Sequence, residues 1–216
     1  FGSSFFYIGK THRKNISLTD QIIFILLSFI LIPLLITIPY FLSVYNISLF
    51  NSYFEAVSGF TTTGFSIIKN TKFIDEPLLL WRSSSQWIGG LFFLIVTIGT
   101  IGSKQIKIKP AYLVSGGASG RNFYNNFNYN FIKISLIYSF STIFIIFLYN
   151  LADIRFFGSF NLALTTVSSG GFISANNLSS IVSTNLQIFI LSITLLIPIL
   201  NFFLFLDIVK KEFSFR

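Results

Sequence analysis

The chain has 216 residues, of which 53% are hydrophobic and 10% charged, and a formal net charge of +8. Soluble domains carry about 25% charged residues, so an aqueous globule is excluded and lipid is the expected solvent. With no cysteine and one histidine, His12, disulfides, thiolate metal sites and a histidine zinc cluster are excluded as well.

In chain order, residues 1–15 read as the end of a preceding apolar segment (Phe5 to Ile8) and a basic linker (Lys10, His12, Arg13, Lys14). A start at Phe1 and the lack of methionine suggest part of a longer protein. Residues 16–109 form a first helix–loop–helix unit. Ser17-Leu18-Thr19-Asp20 fits a capping box, and residues 21–41 are long and apolar enough to span a bilayer, with a tolerated kink at Pro33. Residues 46–60 are too short: about ten helical residues rise roughly 15 Å, half of the ~30 Å hydrocarbon core. They enter the membrane and return over 61–68. A polar loop at 69–77 leads to a second span, 78–102, with Arg82, Gln86 and Trp87 near its start. Gly89-Gly90 lets neighbouring helices approach closely, and Trp81 and Trp87 suit a membrane interface.

Residues 110–130 are polar and glycine-rich and read as a cytoplasmic linker. The run Ser115-Gly116-Gly117-Ala118-Ser119-Gly120 lacks the Gly-Lys-Ser/Thr of a phosphate loop. Residues 131–211 repeat the pattern: a span at 131–151, a short helix at 158–167, a return at 168–174, and a last span at 185–209 interrupted by Pro198 and Asn201. Residues 212–216 begin a truncated continuation. Of the fifteen Lys and Arg residues, eleven lie at the termini and in 103–133, and only Lys69, Lys72, Arg82 and Arg155 on the other side. This asymmetry places both short helices as entering from outside. It also argues against nucleic-acid binding, since the charge sits in short clusters beside apolar spans.

The two short segments repeat one another. Ala56, Gly64 and Phe65 correspond to Ala163, Gly171 and Phe172, each pair separated by 107 residues. A helix ending at mid-membrane presents about half a negative charge there. Carbonyl oxygens of the extended residues that follow can replace an ion's hydration shell. Thr61, Thr62 and Thr63, or Ser168 and Ser169, add hydroxyls, and glycine reaches backbone angles closed to other residues. All of these are hard, neutral oxygens suited to an alkali cation. Ser/Thr/Gly patches also serve as helix-packing contacts, but two copies at one offset favour a site. Glu55, the one carboxylate in either short helix, is expected to bind backbone amides behind that site rather than the ion. No catalytic constellation appears, so no enzyme is expected.

The stretch Phe54-Glu55-Ala56-Val57-Ser58-Gly59-Phe60-Thr61-Thr62-Thr63-Gly64 resembles the first pore loop of the Trk/Ktr-type potassium uptake subunits. Trp81-Arg82-Ser83-Ser84-Ser85-Gln86-Trp87-Ile88-Gly89-Gly90 is similar to the segment opening that family's next helix, and Ser169-Gly170-Gly171-Phe172 to its second pore loop. The resemblance implies an all-α polytopic membrane protein with tandem helix–pore loop–helix repeats around a central ion pore. Four such repeats are implied per monomer, of which this chain carries two. Thr62, Thr63 and Gly64, with Ser169, Gly170 and Gly171, would line the potassium filter. Further implications are pairing into a homodimer, a cytoplasmic nucleotide-binding regulatory subunit, and residence in the bacterial inner membrane. The function implied is potassium uptake; the alternatives are a sodium-permeable relative and a non-conducting membrane scaffold.

Overall fold

The computed structural model describes residues 18–101 and 123–198, and every regular element among them is helical. The chain runs α1 (Leu18–Phe41), α2 (Leu49–Phe60), α3 (Glu76–Ile101), α4 (Phe123–Leu151), α5 (Phe156–Ser168) and α6 (Asn185–Thr194), with single 3₁₀ turns at Thr71–Phe73 and Leu178–Ser180. Two stretches, Ile22–Phe41 and Phe131–Leu151, are long and apolar enough to cross a membrane. Only 17% of the first and 22% of the second is buried within the protein. A soluble core helix would hide most of such a surface, so these faces match a lipid solvent.

α1 passes through Pro33 and Pro39 unbroken. The Thr37 hydroxyl donates back to the Pro33 carbonyl at 2.7 Å, while the carbonyl that Pro33 leaves without its N–H donor is that of Phe29, four residues earlier. Pro198 acts differently. α6 stops at Thr194 and residues 195–198 form a turn. Pro198 cannot donate to the Thr194 carbonyl four residues earlier, and its ring would crowd that oxygen. The last span expected over 185–209 is therefore helical only to Thr194, and its continuation from 199 lies outside the described residues, as do Ser17 of the expected capping box and the segments 1–15 and 212–216. α4 begins at Phe123, so the last eight residues of the stretch expected as linker, 123–130, are helical.

α2 and α5 have 12 and 13 residues, a rise of about 18–20 Å, short of the ~30 Å hydrocarbon core. α3 is the shared wall between them and packs against α2 on one side and α5 on the other. One apolar cluster joins α1, α2 and the start of α3 around Tyr40, Ala56 and Phe60. A larger one joins α4, α5 and α6 around Tyr138, Tyr149, Ala163 and Val167. Phe29, Phe60 and Phe92 pack as a triangle with centroids 5.3–5.6 Å apart. The adjacent glycines of α3 allow both short helices to come close. A Cβ on Gly89 would collide with the Phe60 carbonyl at the end of α2, and one on Gly90 would press on Ser168 at the end of α5 and on the Tyr138 hydroxyl. Trp81 and Trp87 do not serve as interface anchors by their N–H groups. The Trp81 indole donates to the Ile36 carbonyl at 3.1 Å and that of Trp87 to Thr142 Oγ1 at 2.9 Å, cross-linking helices inside the protein.

The 107-residue repeat extends well beyond the three residue pairs visible in sequence. Among the described residues, the non-glycine residues with positive φ are Asn46 (51°), Thr62 (55°), Asp153 (57°) and Ser169 (55°), and the glycines are Gly64 (81°) and Gly171 (78°). These are three pairs at the one offset: Asn46 with Asp153, Thr62 with Ser169, and Gly64 with Gly171. The helix starts Leu49 and Phe156 match, and so do the 3₁₀ turns and their N-caps Asn70 and Asn177.

Candidate functional site

Both short helices end in the same hydrogen-bonded cap. In α2 the Thr62 N–H donates to the Gly59 carbonyl at 2.9 Å and the Thr63 N–H to that of Ser58 at 3.0 Å. In α5 Ser169 donates to Thr166 at 3.1 Å and Gly170 to Thr165 at 2.8 Å. This is the Schellman arrangement, whose left-handed residue is usually glycine. Here it is Thr62 and Ser169, one of them β-branched, at a strain of about 1–3 kcal/mol each. The cap turns the chain sharply, and beyond it the backbone makes one further bond to its own helix, from the Gly64 N–H to the Ser58 carbonyl at 3.4 Å.

Consequently a row of carbonyls stays free. Among the described residues, the carbonyl oxygens of Thr61, Thr62, Thr63 and Gly64, and those of Ser168, Ser169 and Gly171, accept no hydrogen bond. Ser168 is buried and Thr62 and Gly64 are half-buried, while Thr61, Thr63, Ser169 and Gly171 are exposed; all seven sit where two helix dipoles direct negative potential. The hydroxyls are more committed than the sequence suggested. Thr61 Oγ1 donates to the Val57 carbonyl and lies 2.8 Å from Thr63 Oγ1, and Ser168 Oγ donates to Leu164.

The fold brings the two return segments into contact. A Cβ on Gly64 would overlap the Gly170 carbonyl oxygen and sit 3.7 Å from Gly171 Cα. Thr62–Gly64 and Ser169–Gly171 thus form adjoining parts of one surface. Gly171 has open space where its Cβ would go. Farther out, Asn176 Oδ1 accepts from the Thr71 N–H (2.8 Å) and hydroxyl (3.0 Å), and its Nδ2 donates to Asn70 (2.8 Å), clipping the two loops together.

The two copies are braced by different means. The first is held from its own short helix. Glu55 is fully buried, and its Oε1 accepts from the Ile67 N–H (2.7 Å), the Ile68 N–H (3.2 Å) and the Ser66 hydroxyl (2.6 Å), as expected for a carboxylate behind the site. Ser58 Oγ donates to the Phe65 carbonyl at 2.6 Å. The position corresponding to Glu55 in the second copy is Leu162, so that brace is absent, and the second segment is held from α3 instead. Gln86, fully buried, donates from Nε2 to the Gly170 carbonyl at 2.6 Å and accepts from the Phe172 N–H at Oε1, 3.1 Å. Arg82 links the two copies: Nε lies 3.6 Å from Glu55 Oε2, Nη2 donates to Ser66 Oγ at 2.9 Å, and the guanidinium sits 4.4 Å from the Phe172 ring centroid.

Arg82 is only 3% exposed, so it is not one of the solvated outside charges that the topology count made of it. Removing it sharpens the asymmetry. Neither Arg82 nor Gln86 was singled out for a role in the sequence. Their spacing held a signal, because polar residues at i and i+4 share one helix face and these two, with Ser83, Ser84 and Ser85 between them, form a polar stretch near the start of α3. A cavity of about 240 Å³ adjoins the first tip, lined by Phe29, Phe60, Thr61, Thr62, Gly89 and Phe93.

No family model matches the chain. It is 28% identical over 192 residues to an uncharacterised cation transporter of Methanocaldococcus jannaschii, covering 82% of this chain and 37% of that protein. It is 27% identical over 176 residues to the Trk system potassium uptake protein TrkG of Escherichia coli, covering 79% and 36%. Over a shorter stretch of 93 residues it is 34% identical to the Trk system potassium uptake protein TrkI of Halomonas elongata, covering 42% and 19%. The chain thus spans about a third or less of the length of these relatives.

Proposed function

We propose, from the chain's relationship to the Trk potassium uptake proteins, that it is a pore-forming part of a potassium uptake system in a cell membrane. Its two return segments supply two sectors of a cation filter, from Thr62, Thr63 and Gly64 and from Ser169, Gly170 and Gly171. The observation that carries the reading is the pair of return segments at the ends of two short helices, brought edge to edge, whose carbonyls at these residues, that of Gly170 apart, accept no hydrogen bond. A dehydrating potassium ion needs several oxygens of moderate field strength. Two sectors provide part of that shell, and further sectors of the same kind would complete it. The fold then reads as tandem helix–pore loop–helix repeats around an ion path, with lipid against α1 and α4. Pairing of complete subunits and a cytoplasmic nucleotide-binding regulator belong to the same reading. The relationship favours potassium as cargo over a non-conducting scaffold, because a scaffold has no use for strained, unsatisfied backbone at this depth.

The test uses the full-length protein in cells lacking potassium uptake, with potassium and sodium uptake measured at matched membrane levels. Gly64→Ser and Gly171→Ser should lower potassium-over-sodium selectivity. Gly59→Ser, whose new side chain meets Ser85 within the helix packing, should reduce protein level and leave the ratio alone. Unchanged selectivity in both filter variants would remove the filter assignment and leave a packing role.

A further inference from the structure

We infer that Gln86 is a positioning residue that decides which carbonyls of the second return segment are offered to a cation: those of Ser169 and Gly171, with that of Gly170 occupied by the Gln86 amide. The inference rests on the filter reading above and refines it. Ser169 and Gly171 are exposed, while Gly170 between them is buried. The Gly170 oxygen is held by Gln86 Nε2 at 2.6 Å, and the next N–H but one, that of Phe172, is held by the same side chain at 3.1 Å. One amide thus pins both sides of Gly171 and fixes its left-handed φ of 78°. The orientation of the amide is unambiguous, because only the NH₂ can serve a carbonyl and only the oxygen can serve an N–H. A Cβ on Gly170 would overlap the Gln86 amide, so the backbone and the clamp are in direct contact. The first segment has no such clamp. Thr63, the counterpart of Gly170, keeps a free carbonyl, and the bracing from Glu55 and Ser58 acts farther along, at residues 65–68. The two sectors are therefore not equivalent: the first offers an unbroken row and the second a row interrupted at Gly170, and Gln86 causes the difference.

A control lies one turn earlier on the same helix. Ser83 Oγ donates to Asn161 Oδ1 at 2.7 Å. Both residues are buried to the same degree as Gln86, and this bond also joins α3 to α5, but it touches no return segment. In the full-length protein, Gln86→Met removes both polar contacts at similar volume. Gln86→Glu keeps an acceptor for Phe172 and loses the donor to Gly170. Two quantities are read: the potassium-to-sodium uptake ratio at matched membrane levels, and hydrogen exchange of the Phe172 amide.

For Gln86→Met the ratio should fall and the exchange rise, each by about tenfold, the size that loss of one buried hydrogen-bond partner corresponds to. For Gln86→Glu the ratio should fall while exchange stays near the parent value. Ser83→Ala should move neither. A folded Gln86→Met protein with unchanged selectivity would overturn the inference, as would a Ser83→Ala protein that loses as much. If Gln86→Met does not reach the membrane, Gln86→Glu decides by the same ratio. A parent protein that takes up neither ion would sink the filter reading itself. Phe172 exchange would then judge the clamp alone, and exchange unaltered in Gln86→Met would refute it.

Discussion

Gly64 and Gly171 share a backbone conformation but not an environment, and that separates what a side chain would cost at each. At Gly171 a Cβ meets nothing within 4 Å, so Gly171→Ala carries only the left-handed strain, about 1 kcal/mol. At Gly64 the same strain is joined by overlap with the Gly170 carbonyl, a backbone atom held in place by Gln86. Gly64→Ala should therefore lose clearly more, about 3 kcal/mol or above, overpacking being added to strain. Thermal unfolding of the two variants in detergent checks this, and equal losses would mean the segments are free to move apart. The matched register of the two glycines was readable in the sequence, because offset is a property of the chain. Their different surroundings were not, because what lies against Gly64 comes from residues more than a hundred positions away.

The joint between α2, α3 and the second return segment depends on one buried ion pair. Glu55 and Arg82 lie 3.6 Å apart at 0% and 3% side-chain exposure. Breaking such a pair by removing one partner costs about 3–5 kcal/mol, because the other charge is left buried and alone. Arg82→Met should destabilise by that order. Adding Glu55→Gln should recover part of the loss, since glutamine still accepts from the Ile67 and Ile68 N–H groups without a charge to strand. A double variant no more stable than Arg82→Met alone would show that the pair contributes through packing against Phe172 and not through charge. At this scale the existence and order of the helices and the polar residues of α3 were legible from apolar run length and composition, while the start of α4 at Phe123 and the end of α6 at Thr194 were not. The partner of each polar mark was not: Glu55 could have faced an ion or the backbone amides, and only the return of residues 66–68 over it decided the matter.

For the whole molecule the outstanding quantity is orientation in the membrane. With Arg82 buried, the segments expected outside retain Lys69, Lys72 and Arg155 against eleven basic residues expected on the other side, and short-loop Lys and Arg set the orientation. Thr71 is buried against Asn176 and unsuited to a label, whereas Lys72 is exposed. In the full-length protein, Lys72→Cys should react with an impermeant thiol reagent added outside intact cells, and Ser115→Cys only after permeabilisation. Labelling of Ser115→Cys from outside would reverse the orientation and, with it, the side from which α2 and α5 enter.

The sequence by itself determined the solvent, the order of long and short helices, and the 107-residue repeat, because hydrophobic run length and residue offsets are local quantities set along the chain. It also pointed to Thr62–Gly64 and Ser169–Gly171 as the chemically unusual positions. Only the tertiary structure decided that these two segments touch, that Asn46 and Asp153 belong to the repeat as its left-handed turns, and that the copies are braced unequally. The physical reason is that a buried polar group takes whichever partner the packing brings within about 3 Å. For Gly170 that partner is Gln86, 84 residues earlier on a helix of the other unit, a pairing fixed by where α3 passes between α2 and α5.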